Sequence, residues 1–270
     1  EIGASDLVVN LVESVGGRGS LIHLVPALVE SIGAPMTGCP ARAIAETSNK
    51  IDAKRIMSLH GIATPPWVTS DGGDAGAAGR GTWIVKSVWE HASIGLGPAS
   101  IVEADGDEIR EVVESSHAAL GGLAFAERFI DGREFNVSLV EVEGEPTALP
   151  LAEIRFVDYG DRPRIVDYAA KWSVGSFEYE NTPRCFEFGD EDGALASEIV
   201  SIARRCWRAF GLRGYARVDF RVDHAGAPWA LEVNANPCVA EDAGFMAAAH
   251  RAGLSADDVV DLLVRAAISG

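Results

Sequence analysis

The sequence is short of positive charge. Its 23 lysines and arginines face 40 aspartates and glutamates, giving a formal net charge of −17 at pH 7. So acidic a chain repels phosphate backbones and anionic membranes, which argues against nucleic acid or a membrane as partner. A phosphate-bearing ligand requires a few local lysines, arginines or a metal to offset that field. Cysteine is scarce as well: Cys39, Cys185, Cys206 and Cys238 show no CxxC pair and no metal-ligand spacing. A chain of 270 residues can bury a core without disulfides, so reduced thiols in a cytoplasmic protein are expected. No apolar run approaches the roughly 20 residues of a membrane span. There is neither a signal peptide nor an initiator methionine. Glu1 stands just ahead of an apolar segment, which suggests a missing N-terminal piece.

What is present is ordinary globular composition, 47% hydrophobic and 23% charged, which excludes disorder. Residues 6–12 (DLVVNLV) read as a short buried strand, followed by a glycine loop at Gly16, Gly17 and Gly19 and a helix over 21–32. A second helix is expected over about 42–60, ending at Gly61 before Pro65 and Pro66. Residues 69–81 are glycine-rich and read as a flexible loop. Strands are expected at 83–88, 125–130 and 134–142, the last two joined at the turn pair Asp131-Gly132, with a helix over about 107–120. Residues 151–188 are irregular and polar-aromatic. Leu195, Ile199, Ile202, Cys206 and Phe210 fall at helical spacing up to Gly211, and a C-terminal helix over 256–268 presents Val260, Leu263, Val264 and Ala267. No internal repeat is evident, and the mixed order of elements without strict βαβ alternation indicates an α+β arrangement.

The stretch 215–237, YARVDFRVDHAGAPWALEVNANP, is the most informative. With a turn centred between Ala225 and Gly226, facing residues sum to 451, so Asp219 opposes Glu232 and Arg217 opposes Asn234 on one face. The other face then takes Val218, Phe220 and Val222 against Val233, Leu231 and Trp229, and a one-residue slip would destroy both patterns. Two carboxylates this close repel unless a cation lies between them. Oxygen ligands of this type suit Mg²⁺ or Mn²⁺. A solvated salt-bridge ladder, Asp219 with Arg217 or Arg221, is the plainer alternative. The awkward strand exit at Ala235-Asn236-Pro237-Cys238 favours a site, because sites gather on loops at strand ends.

ARVDFRVD followed by LEVNANP resembles the metal-binding end of the ATP-grasp superfamily, and specifically the D-alanine–D-alanine ligase family. Four further segments follow the family in order: 33–67, 83–97 (WIVKSVWEHASIGLG), 125–137 (FAERFIDGREFNV) and 166–173 (VDYAAKWS). The resemblance implies an ATP-grasp fold in which two α+β subdomains clasp ATP, preceded by an incomplete N-terminal α/β subdomain. Expected boundaries are 1–45 for the N-terminal remainder and 46–270 for the ATP-grasp domain, with 68–135 the small subdomain and 136–270 the catalytic one. The implied enzyme is an ADP-forming carbon–nitrogen ligase: ATP phosphorylates a carboxylate, an amine attacks the acyl-phosphate, and ADP and phosphate leave. Such ligases are often homodimers.

By this resemblance, Lys50 and Lys86 hold ATP phosphates, and the loop from Ser93 to Gly97 covers them, with Ala92 where the family usually has another serine. Lys86 lies among strand apolar residues, where a lysine without a partner is costly; Lys50 has the alternative of a solvated helix lysine. Glu127 is implied to read the adenine amino group beside Phe129 and Ile130, and Glu134 to accept from the ribose. Either is otherwise an ordinary strand carboxylate. Lys171-Trp172 resembles the Lys-Tyr pair of the mobile loop over the γ-phosphate. Asp219, Glu232 and Asn234 are the implied metal ligands, and Arg217 steadies the transferred group or the oxyanion.

The amino-acid sites depart from the family. Glu13-Ser14 replaces the His-Gly that helps hold the first D-alanine. Cys238 replaces a glycine whose backbone N–H faces the oxyanion, and Ala243-Gly244 replaces the Ser-Leu pair that holds the second D-alanine's carboxylate. Acidic Glu241 and Asp242 are expected to repel a free carboxylate. Cys238 also admits a nucleophilic role, against the plainer reading of a small loop residue. His91 admits an acid/base role near phosphate, against the plainer reading of a solvent-facing loop histidine, and His250 reads as structural. These features imply a ligase whose substrates are not two D-alanines. The competing readings are a pseudo-enzyme or nucleotide-binding module, against which Lys171, Arg217 and the metal ligands argue, and an ATP-grasp enzyme for ring closure or a thiol acceptor.

Overall fold

A computed structural model describes residues 6–73, 79–91 and 93–269. The expected strand at 6–12 is reduced to one parallel bridge between Val8 and Met36, with Val9 and Leu11 more than half exposed. A hydrophobic run alone did not suffice, because among the described residues no strand pairs with it beyond that bridge. Helix α1 (Leu24–Ser31) is followed by α2 (Ala41–Ser48) and α3 (Lys50–Leu59), which replace the single helix expected over 42–60. The break is Asn49, whose extended backbone and side chain, accepting from the N–H groups of Ile51 and Asp52, make it the cap of α3. Caps of this kind contribute about 1 kcal/mol.

The first sheet combines β1 (Trp67–Thr69), β2 (Gly72–Gly73), β3 (Gly81–Ser87), β4 (Ile101–Ala104) and β5 (Ala124–Arg128) in the antiparallel order β2-β1-β5-β3-β4. One short strand, β2, thus falls within the expected loop 69–81, whose residues 74–78 lie outside the described residues, as does Ala92. Trp83, Val85, Ala124 and Ala126 on one face pack against Ile109 and Val113 of α4 (Gly106–Ser116). Alternation leaves Ile84, Lys86, Phe125 and Glu127 on the opposite face.

The second sheet, order β11-β10-β6-β8-β9 with β7 also on β6, is again antiparallel. Its strands are β6 (Gly132–Val142), β7 (Glu145–Ala148), β8 (Ala152–Ile154), β9 (Arg184–Cys185), β10 (Tyr215–Asp223) and β11 (Pro228–Asn234). Asp131-Gly132 is therefore no hairpin turn: β5 and β6 belong to different sheets, and the pair is the crossover between them. Gly132, at φ +150°, passes so close to β10 that a Cβ would overlap the carbonyl oxygen of Val222. Phe135, Val137 and Leu139 of β6 join Val218, Phe220 and Val222 of β10 in the largest core, covered by α2, α3 and α7 (Gly193–Phe210). Helix α7 ends at left-handed Gly211, as its sequence requires.

Within 151–188 lie two short helices, α5 (Tyr168–Trp172) and α6 (Phe177–Glu180). The C-terminal helices are α8 (Gly244–Arg251) and α9 (Ala256–Ile268). The buried face of α9 is Val259, Leu263 and Ala266, one position earlier than expected, and Val260 is exposed. All four cysteines are free, and no helix among the described residues is long and apolar enough to cross a membrane.

Candidate active site

The polar faces of the two sheets meet in one cavity. On the second sheet β6 and β10 pair in full register, so Asn136 lies opposite Asp219 and Glu134 opposite Arg221, all on the face away from the core. The β10–β11 register is 451 at the cavity end, Asp219 to Glu232 and Arg217 to Asn234. A bulge between Asp219 and Phe220 then shifts it to 450, so Phe220 faces Ala230 and Val222 faces Pro228. The extra residue reconciles the pattern with a three-residue turn at His224-Ala225-Gly226, where Gly226 is left-handed. Leu231 and Trp229 consequently leave the core positions assigned to them from sequence. Leu231 lines the cavity instead, next to Glu232.

Lys50, Lys86, Ser93, Glu127, Phe129, Ile130, Glu134, Lys171, Asp219 and Glu232 all line this cavity. Arg217 and Asn234 stand behind it. Arg217 grips Asp219 with two parallel bonds, Nε to Oδ1 at 2.7 Å and Nη2 to Oδ2 at 2.8 Å. The Asn234 amide lies 3.3 Å from Asp219 Oδ2 and 3.4 Å from Glu232 Oε1, bridging the two carboxylates. Cys238 is exposed and does not line the cavity.

The sequence contains only four lysines, and all four are here. Lys54, passed over in the sequence, pairs at 2.6 Å with Glu127, whose other oxygen holds Lys86 at 2.5 Å. Lys54 and Glu127 are almost fully buried. Glu127 therefore anchors two lysines from within the protein, with both oxygens engaged, a role not foreseen for it. The signal was in the composition: when basic residues are overwhelmingly arginine, each lysine merits attention. Asn136, which donates to Asp219 Oδ1 at 2.8 Å, and Arg221, 3.0 Å from Glu134, were also missed. With Lys54 and Arg217 behind the wall, and Arg128 and Glu90 also lining it, seven cationic side chains meet five carboxylates within a strongly acidic chain, the local positive balance that a phosphate ligand requires.

Local structure explains the placements. The Asn49 break puts Lys50 at the first position of α3, where its Nζ donates to the carbonyl of Glu90 at 2.6 Å. Ser93 has a left-handed backbone at φ +60°, unusual for a non-glycine residue, and its hydroxyl donates to the carbonyl of Val166 at 2.8 Å. Tyr168 N–H reaches the carbonyl of Leu96 at 3.4 Å. The 93–97 loop and the α5 segment carrying Lys171 are therefore laced together across the cavity mouth.

Burial pushes the Lys50 ammonium down to about 8, with Lys86 adding to the effect. Burial disfavours charge on Lys86 too, but Glu127 outweighs it and raises that lysine. Glu127 is held below its ordinary range because Lys54 and Lys86 overcome its desolvation. Burial raises Asp219 and Glu134 despite their arginines. Glu232 also pays desolvation, yet Lys171, Lys50, Lys86 and Arg217 keep it well below the usual carboxylate range. Two carboxylates and an amide oxygen, available by turning the Asn234 amide over, suit Mg²⁺, which commonly takes one or two carboxylates and completes its shell with phosphates. Among the described residues no cluster of three or more His, Cys, Asp or Glu forms.

Beyond β11 the surroundings differ in character. Asn236 ties the N-terminal segment to the strand exit, donating to the Val12 carbonyl at 2.9 Å and accepting from Tyr215 Oη at 2.7 Å. That places exposed Glu13 near this exit. Arg184 and Arg217 approach Gly244, the first residue of α8: a Cβ there would lie 3.5 Å from Arg184 Nε and 3.9 Å from Arg217 Nη1. Glu241 turns to His250 at 3.5 Å, and Arg184 donates to the Asp242 carbonyl at 3.0 Å. Two guanidinium groups, Arg184 and Arg217, therefore stand at the start of α8 near the acidic pair Glu241-Asp242.

Residues 82–265 match the D-ala D-ala ligase C-terminus family. A D-alanine–D-alanine ligase of Desulforudis audaxviator is 32% identical over 250 residues, covering 90% of this chain and 76% of that protein. The chain belongs to the D-alanine–D-alanine ligase family. A Bacillus anthracis D-alanine–D-alanine ligase crystallised with ATP superimposes with a TM-score of 0.73 at 21% identity, covering 98% of this chain and 79% of that one. The VanG D-Ala:D-Ser ligase of Enterococcus faecalis gives 0.72 at 20% identity, covering 96% and 72%. The fold is accordingly ATP-grasp, of the α+β class expected, and the protein is an ADP-forming, ATP-dependent ligase of this family.

Proposed function

We propose that the protein joins the carboxylate of one amino-acid-like substrate to the amine of another through an acyl-phosphate, and that the pair is not two D-alanines. The observation that carries the reading is the convergence of Lys50, Lys86 and Lys171 with Asp219 and Glu232 in one cavity, beside a substrate end whose residues depart from the family. Lys50 and Lys86 hold phosphates, Lys86 fixed in place by Glu127. Phe129 and Ile130 cover the base. The Glu134 oxygen not engaged by Arg221 accepts from the ribose, and Glu127 can take the adenine amino group only on a lone pair its lysines leave free. Lys171 closes over the terminal phosphate from α5, and the lacing of α5 to Ser93 and Leu96 excludes water that would hydrolyse an acyl-phosphate.

Asp219, Glu232 and Asn234 would hold Mg²⁺ or Mn²⁺. The ion supplies neutralisation of phosphate charge when bound. Arg217, kept cationic and oriented by its two bonds to Asp219, stabilises negative charge developing on the attacked carbonyl. Arg184 and Arg217, flanking the start of α8, receive the carboxylate of the amine substrate in place of the family's serine. Glu13 favours a donor bearing a positive group over plain D-alanine, and the D-Ala:D-Ser specificity of VanG shows that this fold carries more than one substrate pair. We further take 1–45, 68–135 and 136–270 as the subdomain divisions, and the cytoplasm as the setting where ATP is available.

Hydroxylamine trapping tests the chemistry. With Mg-ATP and a mixture of amino acids, the hydroxamate of the activated substrate is expected. ADP release without hydroxamate from any carboxylate would contradict the acyl-phosphate.

A further inference from the structure

His91, which the sequence suggests to be solvent-facing, is turned into the cavity. It lines the same wall as Lys50 and Ser93, and its Nε2 is buried with no hydrogen-bond partner among the described residues. The glycine loop covers one side of the ring. A Cβ at Gly19 would lie 3.6 Å from His91 Cδ2 and 2.5 Å from the Trp89 carbonyl oxygen, so only glycine permits this packing. Lys50, Lys171 and Glu232 are the charges that bear on the imidazole. Those are the lysines and the metal-site carboxylate of the transfer end, whereas Phe129 and Ile130 mark the base end. Burial, aided by Lys50, pushes the imidazole down to about 4, so it is uncharged at neutral pH. A neutral imidazole has one N–H donor and one acceptor, while a phosphoryl oxygen is an acceptor only. A buried, unpartnered nitrogen costs free energy unless a ligand meets it.

We infer that His91 Nε2–H donates a hydrogen bond to the terminal phosphoryl group of bound ATP, so that this side chain distinguishes ATP from ADP. The inference rests on the ATP-dependent ligase reading and adds a neutral contact to the lysines already in the cavity. After transfer, the same bond follows the phosphoryl group to the acyl-phosphate, and the nitrogen is left unpartnered when phosphate departs.

The test is calorimetric titration of the whole protein with Mg-ADP and with the non-hydrolysable β,γ-imido analogue of ATP, for wild type, His91→Ala, His91→Asn and His91→Gln. Thermal melts check that each variant folds. The Gln amide nitrogen reaches the position of Nε2, and the Asn amide does not. Alanine and asparagine are expected to weaken the analogue by about tenfold or more and ADP by less than about twofold, with glutamine restoring most of the loss. An equal loss for both nucleotides would make His91 a loop-packing residue and overturn the inference. So would no loss for either, or a glutamine variant no better than alanine. Wild type binding neither nucleotide would instead remove the ATP reading, a failure distinguishable from the others.

Discussion

The two ends of the cavity are built differently. At the proposed nucleotide end, buried charges on strands and on α3 are balanced within the protein: Glu127 between Lys54 and Lys86, Glu134 against Arg221, Asp219 against Arg217. At the proposed amino-acid end the residues lie on the two-residue edge strand β9, on loops and at a helix start, with Arg184 making no ion pair among the described residues and Cys238 and Glu13 exposed. Altering one member of a buried balanced set exposes its partner to an uncompensated charge, which constrains change. Loop residues at a ligand mouth carry no such penalty. The comparison explains how a family can keep its nucleotide chemistry while substrates diverge.

The largest effect should come from Glu232→Gln, which removes a carboxylate facing three lysines and the metal position. Steady-state ADP release is expected to fall by about 10³-fold, and the melting temperature to drop as well, because the lysines that hold this carboxyl below its ordinary range lose their partner. Glu127→Gln should strike stability above all, by about 3–5 kcal/mol in denaturant melts, because Lys54 loses its buried partner. Since the folded Glu127 carboxyl is held below its ordinary range, its contribution is present above the unfolded value near 4.3 and disappears as pH falls through the folded value. The variant should therefore show a flatter acid limb than wild type.

At the substrate end, Arg184→Leu is expected to raise KM for a carboxylate-bearing amine substrate by about tenfold or more, leaving hydroxamate formation from the donor unchanged. If both halves of the reaction suffer equally, the division into two ends fails. Lys50, at about 8, should be the lysine most readily labelled by an amine-reactive reagent near pH 8.5, and Mg-ATP should protect it in peptide mapping. Cys238→Ser should change kcat by less than about twofold, as the residue's exposure outside the cavity suggests packing or a backbone role rather than nucleophilic work.

The chemistry-bearing hairpin was legible in the sequence because alternation is strict where one face is buried, so Asp219, Glu232, Arg217 and Asn234 could be set on one face by arithmetic. The arithmetic stopped at the bulge. An extra residue leaves no mark on the alternation of β10, and only its partners β6 and β11 reveal that Leu231 faces the cavity. The break at Asn49 was hidden because its flanking segments are both good helix formers and only the cap geometry separates them. Asp131-Gly132 has the composition of a hairpin turn, yet the pairing of β5 with β3 and of β6 with β10 decided otherwise. His91 could be placed near the phosphate loop from sequence, but its turn into the cavity could not, and Arg184 carried no signal, since the surroundings of both come from packing between segments distant in sequence.

The most direct test of the central claim is ADP release from Mg-ATP by the protein, with D-alanine and then with a panel of other amino acids and amines. The account predicts no stimulation by D-alanine alone and ADP release, with a new amide bond, for a different pair. D-alanine-dependent ADP release with stoichiometric D-alanyl-D-alanine would contradict it.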